Sequence, residues 1–151
     1  MKTETLFSSA TAEWETPPEI FAEYDRKYHF ALDVAATDDN ALCERYYTKE
    51  IDGLSQSWKA DGSVWCNPPY GHGIIKWVRK AYNESREGQT IVMLVPARTD
   101  TRWFQDYVYH HADVVFLRGR LRFCRNGTPM NVNAPFPSMI VIYNGGAKDA
   151  D

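Results

Sequence analysis

Ser63-Val64-Trp65-Cys66-Asn67-Pro68-Pro69-Tyr70-Gly71 is the stretch on which the reading of this chain turns. Its first four residues form a short apolar run suited to a buried strand, and the run passes directly into a turn. Two consecutive prolines lack N–H groups and hold the backbone extended, so their carbonyls stay free to accept hydrogen bonds from another molecule. In open α/β sheets the loops at strand carboxyl ends carry the chemistry. The Asn67 side-chain oxygen and the Pro68 carbonyl can together accept both hydrogens of an exocyclic amino group, which localises the nitrogen lone pair for attack. Tyr70 can stack on the attached ring once that base has left its duplex. The competing reading is a Pro-Pro turn with Tyr70 packed on the core.

Working outward, Thr16-Pro17-Pro18-Glu19 predicts a helix start, with Thr16 as cap and Glu19 completing a capping box. Ile20, Phe21, Tyr24 and Tyr28 then share one helical face. Phe30 to Val34 reads as a buried strand. Residues 35–61 are the least regular, with a short helix expected over Ala41 to Tyr47 and a turn at Asp52-Gly53. After the loop, Ile74, Ile75, Val78, Ala81 and Tyr82 mark a helix that closes over Glu84 to Gly88. Thr90 to Val95 is the clearest strand. The next helix carries Trp103, Phe104, Tyr107, Val108 and His111 on its buried side. Val114 to Leu117 and Ser138 to Tyr143 read as strands, Arg118 to Phe123 alternates in period two, and Arg125 to Pro137 reads as a loop. Strands alternating with helices predict an α/β fold, with a mostly parallel sheet, helices on both faces and an antiparallel edge.

The 151 residues fit one domain, expected to span 1–151 with an irregular segment over 1–15 and a flexible tail over 145–151. A net charge of −3 excludes a protein that coats nucleic acid through bulk charge, so any DNA contact must come from a local patch. Three cysteines without a Cys-x-x-Cys pair argue against a disulfide framework and a zinc site, and for a reducing compartment. No long apolar run marks a membrane anchor, which makes the cytoplasm the expected location. His110-His111 does not read as a metal pair, because adjacent helical residues diverge by about 100°. No metal site is expected, and His72 reads as structural or solvent-facing.

Further pieces recur along the chain: Phe7-Ser8-Ser9, Glu13-Trp14-x-Thr16-Pro17, Leu32-Asp33-Val34-Ala35-Ala36-Thr37 and Asp39-Asn40-Ala41. Leu94 to Phe104, Arg118-Gly119-Arg120-Leu121-Arg122-Phe123 and Ala134 to Ser138 follow the Asn67 loop. With these pieces in this order, the chain resembles the phage-type Dam family of adenine-N6 DNA methyltransferases from Phe7 to about Tyr143. The resemblance implies a Rossmann-like class I methyltransferase fold, S-adenosylmethionine as methyl donor and double-stranded DNA as partner. It implies Asn67, Pro68, Pro69 and Tyr70 as the catalytic loop, in a protein encoded by a phage or prophage.

The donor-binding residues expected on this basis are Trp14, Thr16, Pro17, Asp33, Ala35, Asp52 and Asn67. Asp33 would bind the donor's amino group, against the alternative of a carboxylate that caps the following turn. Asp52 would contact the donor's adenine, against the alternative of a plain Asp-Gly turn. The segment departs from the usual pattern. No glycine-rich turn follows Asp33, and the 34 positions from Asp33 to Asn67 leave no room for two βαβ units of about 30 residues each. Arg118, Arg120 and Arg122 would share one face of a strand, and with Arg98, Arg102 and Arg125 they are the DNA-binding candidates. Their alternative role is solvated charge on an edge strand. The same tetrapeptide also suits methylation of RNA adenine, cytosine N4 or a protein glutamine, and an inactive DNA-binding relative is a further alternative. Dimerisation is open as a way to cover enough DNA.

Overall fold

In the computed structural model, which describes residues 14–147, apolar runs become strands wherever both their faces are covered. The chain runs α1 (Pro18–Tyr28), β1 (Phe30–Asp33), β2 (Ser63–Cys66), α2 (Ile74–Arg86), β3 (Ile91–Pro96), α3 (Arg102–Tyr107) and β4 (Asp113–Phe116). Two short strands, β5 (Cys124–Arg125) and β6 (Thr128–Pro129), precede β7 (Ser138–Tyr143). Every residue of β3 and β7 is buried, as continuous Val/Ile-rich runs require when helices lie on both sides.

Five strands form one sheet in the order β1-β2-β3-β7-β4, and β5 pairs with β6 in a separate hairpin. β1, β2 and β3 are parallel neighbours, while β7 is antiparallel to both β3 and β4. The sheet is therefore mixed, and its longest ladders are the antiparallel ones, which corrects the expectation of a mostly parallel sheet. The reversed strand lies between β3 and β4 and not at an edge. The cause is the β4–β7 connection. Residues 117–137 hold only the β5–β6 hairpin and no crossover helix, so the chain re-enters the sheet at the end it left and must run back.

Residues opposite one another in a ladder share a face, and successive residues alternate. Trp65, Val92 and Ile142 are aligned across β2, β3 and β7, and Phe21 of α1 meets Trp65 edge-on at 5.4 Å. Tyr143 faces the other way, where Tyr82 of α2 lies at 6.3 Å and in turn contacts Tyr107 of α3 at 5.7 Å. Helices thus cover both faces, as expected from the sequence.

Several local expectations fail for identifiable reasons. Helix α1 is capped by Pro17 without a side-chain bond, because the Thr16 hydroxyl is engaged elsewhere. No helix forms over Ala41 to Tyr47. Instead Leu42 N–H turns inward to the Asp33 carboxylate, and residues 45–47 run alongside β1, with Asp33 N–H donating to Arg45 O and Tyr47 N–H donating to Asp33 O. That segment covers the edge of β1 in place of a further βαβ unit. Arg118 to Phe123 is irregular, with Gly119 at φ 75°, and the period-two pattern has no strand to pair with. His111 is exposed, with its ring edge-on to Tyr82.

At the two ends, residues 145–147 form a 3-10 turn, tied down by Gly145 N–H to Thr90 Oγ1 at 3.3 Å. The rest of the expected tail, 148–151, lies outside the described residues, as do residues 1–13 and the motif pieces Phe7-Ser8-Ser9 and Glu13. No helix among the described residues is long and apolar enough to cross a membrane.

Candidate active site

The strand directions bring β1, β2, β3 and β4 to one end of the sheet with their carboxyl termini, and β7 begins at that same end. Asp33, Asn67, Arg98 and Arg118 therefore come from four different strand ends. The segment preceding β7 supplies Pro135 and Phe136.

Asn67 is held by three hydrogen bonds through both polar atoms of its amide. Its Nδ2 donates to the Trp14 carbonyl at 2.6 Å and to Thr16 Oγ1 at 3.0 Å. Its Oδ1 accepts from the Tyr70 hydroxyl at 2.8 Å. The Trp14 carbonyl can only accept, so a flipped amide would set oxygen against oxygen at 2.6 Å and lose that bond, and Oδ1 is thereby fixed as the acceptor on the Tyr70 side. The Tyr70 hydroxyl also lies 3.1 Å from the Leu94 carbonyl of β3. One proton serves two acceptors, so the hydroxyl can turn to Leu94 when Oδ1 takes a different donor. Burial pushes the Tyr70 phenol well above its ordinary pKa, which keeps that proton in place. The Tyr70 ring is buried and packs edge-on to Phe123 at 6.2 Å and Phe136 at 5.7 Å.

A cavity of about 490 Å³ opens beside this loop, within the range of roughly 300–1,000 Å³ found for small-molecule sites. Trp14, Tyr70, Trp103 and Phe136 give it aromatic walls, and Pro96, Thr101, Arg98 and His72 are among the other residues that line it. Arg98 lies over the Phe136 ring at 5.9 Å. The Trp14 indole N–H is buried and has no hydrogen-bond partner among the described residues. Sequence reading placed Trp103 in the core, set His72 aside and missed Phe136. Only the strand order shows that the ends of β2 and β3 and the start of β7 enclose one space.

Asp33 ends β1 next to β2 and is 3% exposed. Its two oxygens accept from Ala35 N–H at 3.3 Å and Leu42 N–H at 3.1 Å. Burial raises its pKa to about 6, and the two backbone N–H bonds hold it from going higher. Asp52 is exposed, with φ 64°, and its carboxylate accepts from Leu54 N–H at 3.3 Å, so it does form the Asp-Gly turn. Gly53 brings that turn against β1. A Cβ there would stand 2.2 Å from the Val34 carbonyl, which only glycine avoids.

The structure brings Trp14, Thr16 and Asn67 into direct contact, with Pro17 next in the chain and Asp33 on the adjoining strand. Ala35 reaches the group only through its N–H to Asp33. Arg98, Arg102, Arg118, Arg120 and Arg122 are exposed, Arg125 is half-buried, and the three central arginines do not share a strand face. Burial pushes the Cys66 thiol far up, so it stays protonated beneath the loop.

Comparison with known proteins gives a consistent result. The model of the family described as DNA N-6-adenine-methyltransferase (Dam) matches residues 3–148. The chain is 34% identical over 109 residues to the DNA N-6-adenine-methyltransferase of Escherichia phage T1, a match covering 72% of this chain and 45% of that relative. It is 28% identical over 134 residues to the DNA N-6-adenine-methyltransferase of Haemophilus phage HP1, covering 86% of this chain and 77% of the relative. The chain thus spans about half the length of the phage T1 protein and most of the phage HP1 protein.

Proposed function

The chain belongs to the DNA N-6-adenine-methyltransferase (Dam) family, and we propose that it methylates the N6 amino group of adenine in double-stranded DNA. The observation that carries this reading is the fixed Asn67 amide, whose oxygen is held as an acceptor at a strand end beside an aromatic cavity. A flipped adenine enters that cavity, with Tyr70, Trp103, Phe136 and Trp14 available to its ring faces and edges. Asn67 Oδ1 accepts one N6 hydrogen as the Tyr70 hydroxyl turns toward Leu94. The Pro68 carbonyl, free of any competing N–H in the Pro-Pro pair, accepts the other. Both bonds draw the amino nitrogen away from planarity and concentrate its lone pair. Positioning of this kind supplies up to roughly 7–11 kcal/mol of a barrier.

The proposed donor is S-adenosylmethionine, which supplies an electrophilic methyl group on sulfur. The residues fit it in three respects. Asp33 offers a buried carboxylate to an ammonium group. The α1 N-terminus beside Thr16 turns the positive end of the helix dipole toward a carboxylate, with Pro17 and Pro18 carrying no N–H and the Ile20 and Phe21 N–H groups bonded to Pro17 O. The Asp52-Gly53 turn lies against the end of β1, near a donor's base. A class I, Rossmann-like methyltransferase domain over the whole chain is the fold this reading entails, and strand-end loops as the active site support it. Arg98, Arg102, Arg118, Arg120, Arg122 and Arg125 provide the local positive surface for DNA that the net charge of −3 does not. The phage relatives support a phage or prophage gene whose product acts in the host cytoplasm. Incubation with labelled S-adenosylmethionine and duplex DNA, RNA or protein tests the reading, and label found only in RNA, cytosine or protein overturns it.

A further inference from the structure

Residues 14–16 are bonded in two directions at once. Trp14 O and Thr16 Oγ1 hold the two hydrogens of the Asn67 amide. Glu15, between them, is bonded to the β5–β6 hairpin. Its main chain exchanges both bonds with Cys124, at 3.2 Å and 2.9 Å. Its carboxylate closes over the hairpin turn, accepting from Asn126 N–H at 3.1 Å and Gly127 N–H at 3.0 Å. Asn126 and Gly127 both have positive φ, 53° and 80°, as a two-residue hairpin turn of this hand requires. The hairpin also carries Arg125 and is continuous with the exposed Arg118 to Arg122 segment.

We propose that Glu15 is a positioning residue that couples the β5–β6 hairpin to the catalytic amide of Asn67. The reading of the hairpin as a DNA-contacting element rests on the proposed function; the coupling itself rests on the bonds just described. A carboxylate accepting from two main-chain N–H groups makes stronger bonds than a neutral acceptor. Both turn residues are exposed, so water replaces the carboxylate at small cost in stability. What is lost on removing it is the side-chain clamp on the turn, which leaves residues 14–16 held to the hairpin by the two main-chain bonds to Cys124 alone and free to shift against Asn67. A displacement of about 1 Å at a catalytic group lowers turnover by up to about a hundredfold.

The test uses the full-length chain, ¹⁵N-labelled, as wild type, Glu15→Ala and Glu15→Gln, the last keeping the side-chain length and one acceptor. In Glu15→Ala the Asn126 and Gly127 amide signals shift, and the Asn67 side-chain NH₂ pair shifts with them and exchanges at least about tenfold faster. Turnover on duplex DNA falls about ten- to a hundredfold while the DNA KM changes less than about threefold, and Glu15→Gln recovers part of both effects. If Glu15→Ala does not fold, Glu15→Gln is read by the same criteria. An Asn67 NH₂ pair that stays put while the turn amides move overturns the coupling, as does turnover within about twofold of wild type. Should the wild type transfer no methyl group to adenine, the functional reading fails, and the Asn67 signals still decide the coupling.

Discussion

Asn67 and Tyr70 are bound to each other within one loop: the phenolic hydroxyl donates to the amide oxygen at 2.8 Å and has the Leu94 carbonyl as its second acceptor at 3.1 Å. Oδ1, the acceptor proposed for an incoming amino group, is therefore kept satisfied until it is needed, and neither it nor the phenolic hydroxyl rests unpaired.

Tyr70→Phe should separate the two roles of that side chain. The ring remains, the hydroxyl is lost, and turnover should fall by about tenfold or less. Removing a buried hydroxyl with two acceptors should lower stability by about 1–3 kcal/mol. Denaturant unfolding and single-turnover kinetics on one preparation measure both. A fall in turnover as large as that of Asn67→Ala would mean that the hydroxyl does more than hold Oδ1.

Thr16→Ala removes one of the two acceptors that orient the Asn67 amide, whereas Thr16→Ser keeps it. The alanine variant should lose about ten- to a hundredfold in kcat with a stability change near 1 kcal/mol, and serine should restore most of the activity. Equal activity of the two would show that the Trp14 carbonyl alone orients the amide.

Asp33, with its pKa raised to about 6, predicts two pH effects of opposite sense. A carboxyl raised in the folded state favours folding below its unfolded pKa of 3.8, and that advantage is lost as pH rises through about 6. Wild type should therefore lose up to about 3 kcal/mol relative to Asp33→Asn between pH 4 and pH 6, and nothing further above. Donor binding should run the other way. An ammonium group needs the ionised carboxylate, so affinity should rise through pH 6 and level off above it. Calorimetric titration from pH 5 to 8 checks this, and a flat profile would remove Asp33 from the donor site.

Alanine at Arg118, Arg120 and Arg122 together should weaken DNA binding and flatten its salt dependence. Each lost phosphate contact lowers the slope of log affinity against log salt by about 0.9. Donor affinity should not change. An unaltered slope would assign these side chains to the solvated surface.

The sequence made the strand-end loop legible, because Ser63 to Cys66 is apolar without a break and Pro68-Pro69 can only turn or extend. The resemblance points to Thr16 and Trp14 as donor residues, and their bonds to Asn67 emerge only with the fold, since nothing in sequence spacing links positions some fifty apart. The position of β7 was hidden for a related reason. Its apolar run reads alike in any buried strand, and its direction depends on residues 117–137 lacking a crossover helix. The arginine alternation misled because period two marks a strand only where a neighbouring strand is there to pair. Asp52 was read as a donor contact with an Asp-Gly turn as the alternative, and the turn is what its backbone forms. Glu15 carried no signal, as its partners Asn126 and Gly127 lie more than a hundred residues away.

The most direct measurement is digestion of duplex DNA to nucleosides after incubation with S-adenosylmethionine and either the wild-type chain or Asn67→Ala, followed by mass analysis. The account predicts N6-methyladenine with the wild type, reduced by about a hundredfold or more with Asn67→Ala. Absence of N6-methyladenine with the wild type, or an equal yield from the variant, would contradict it.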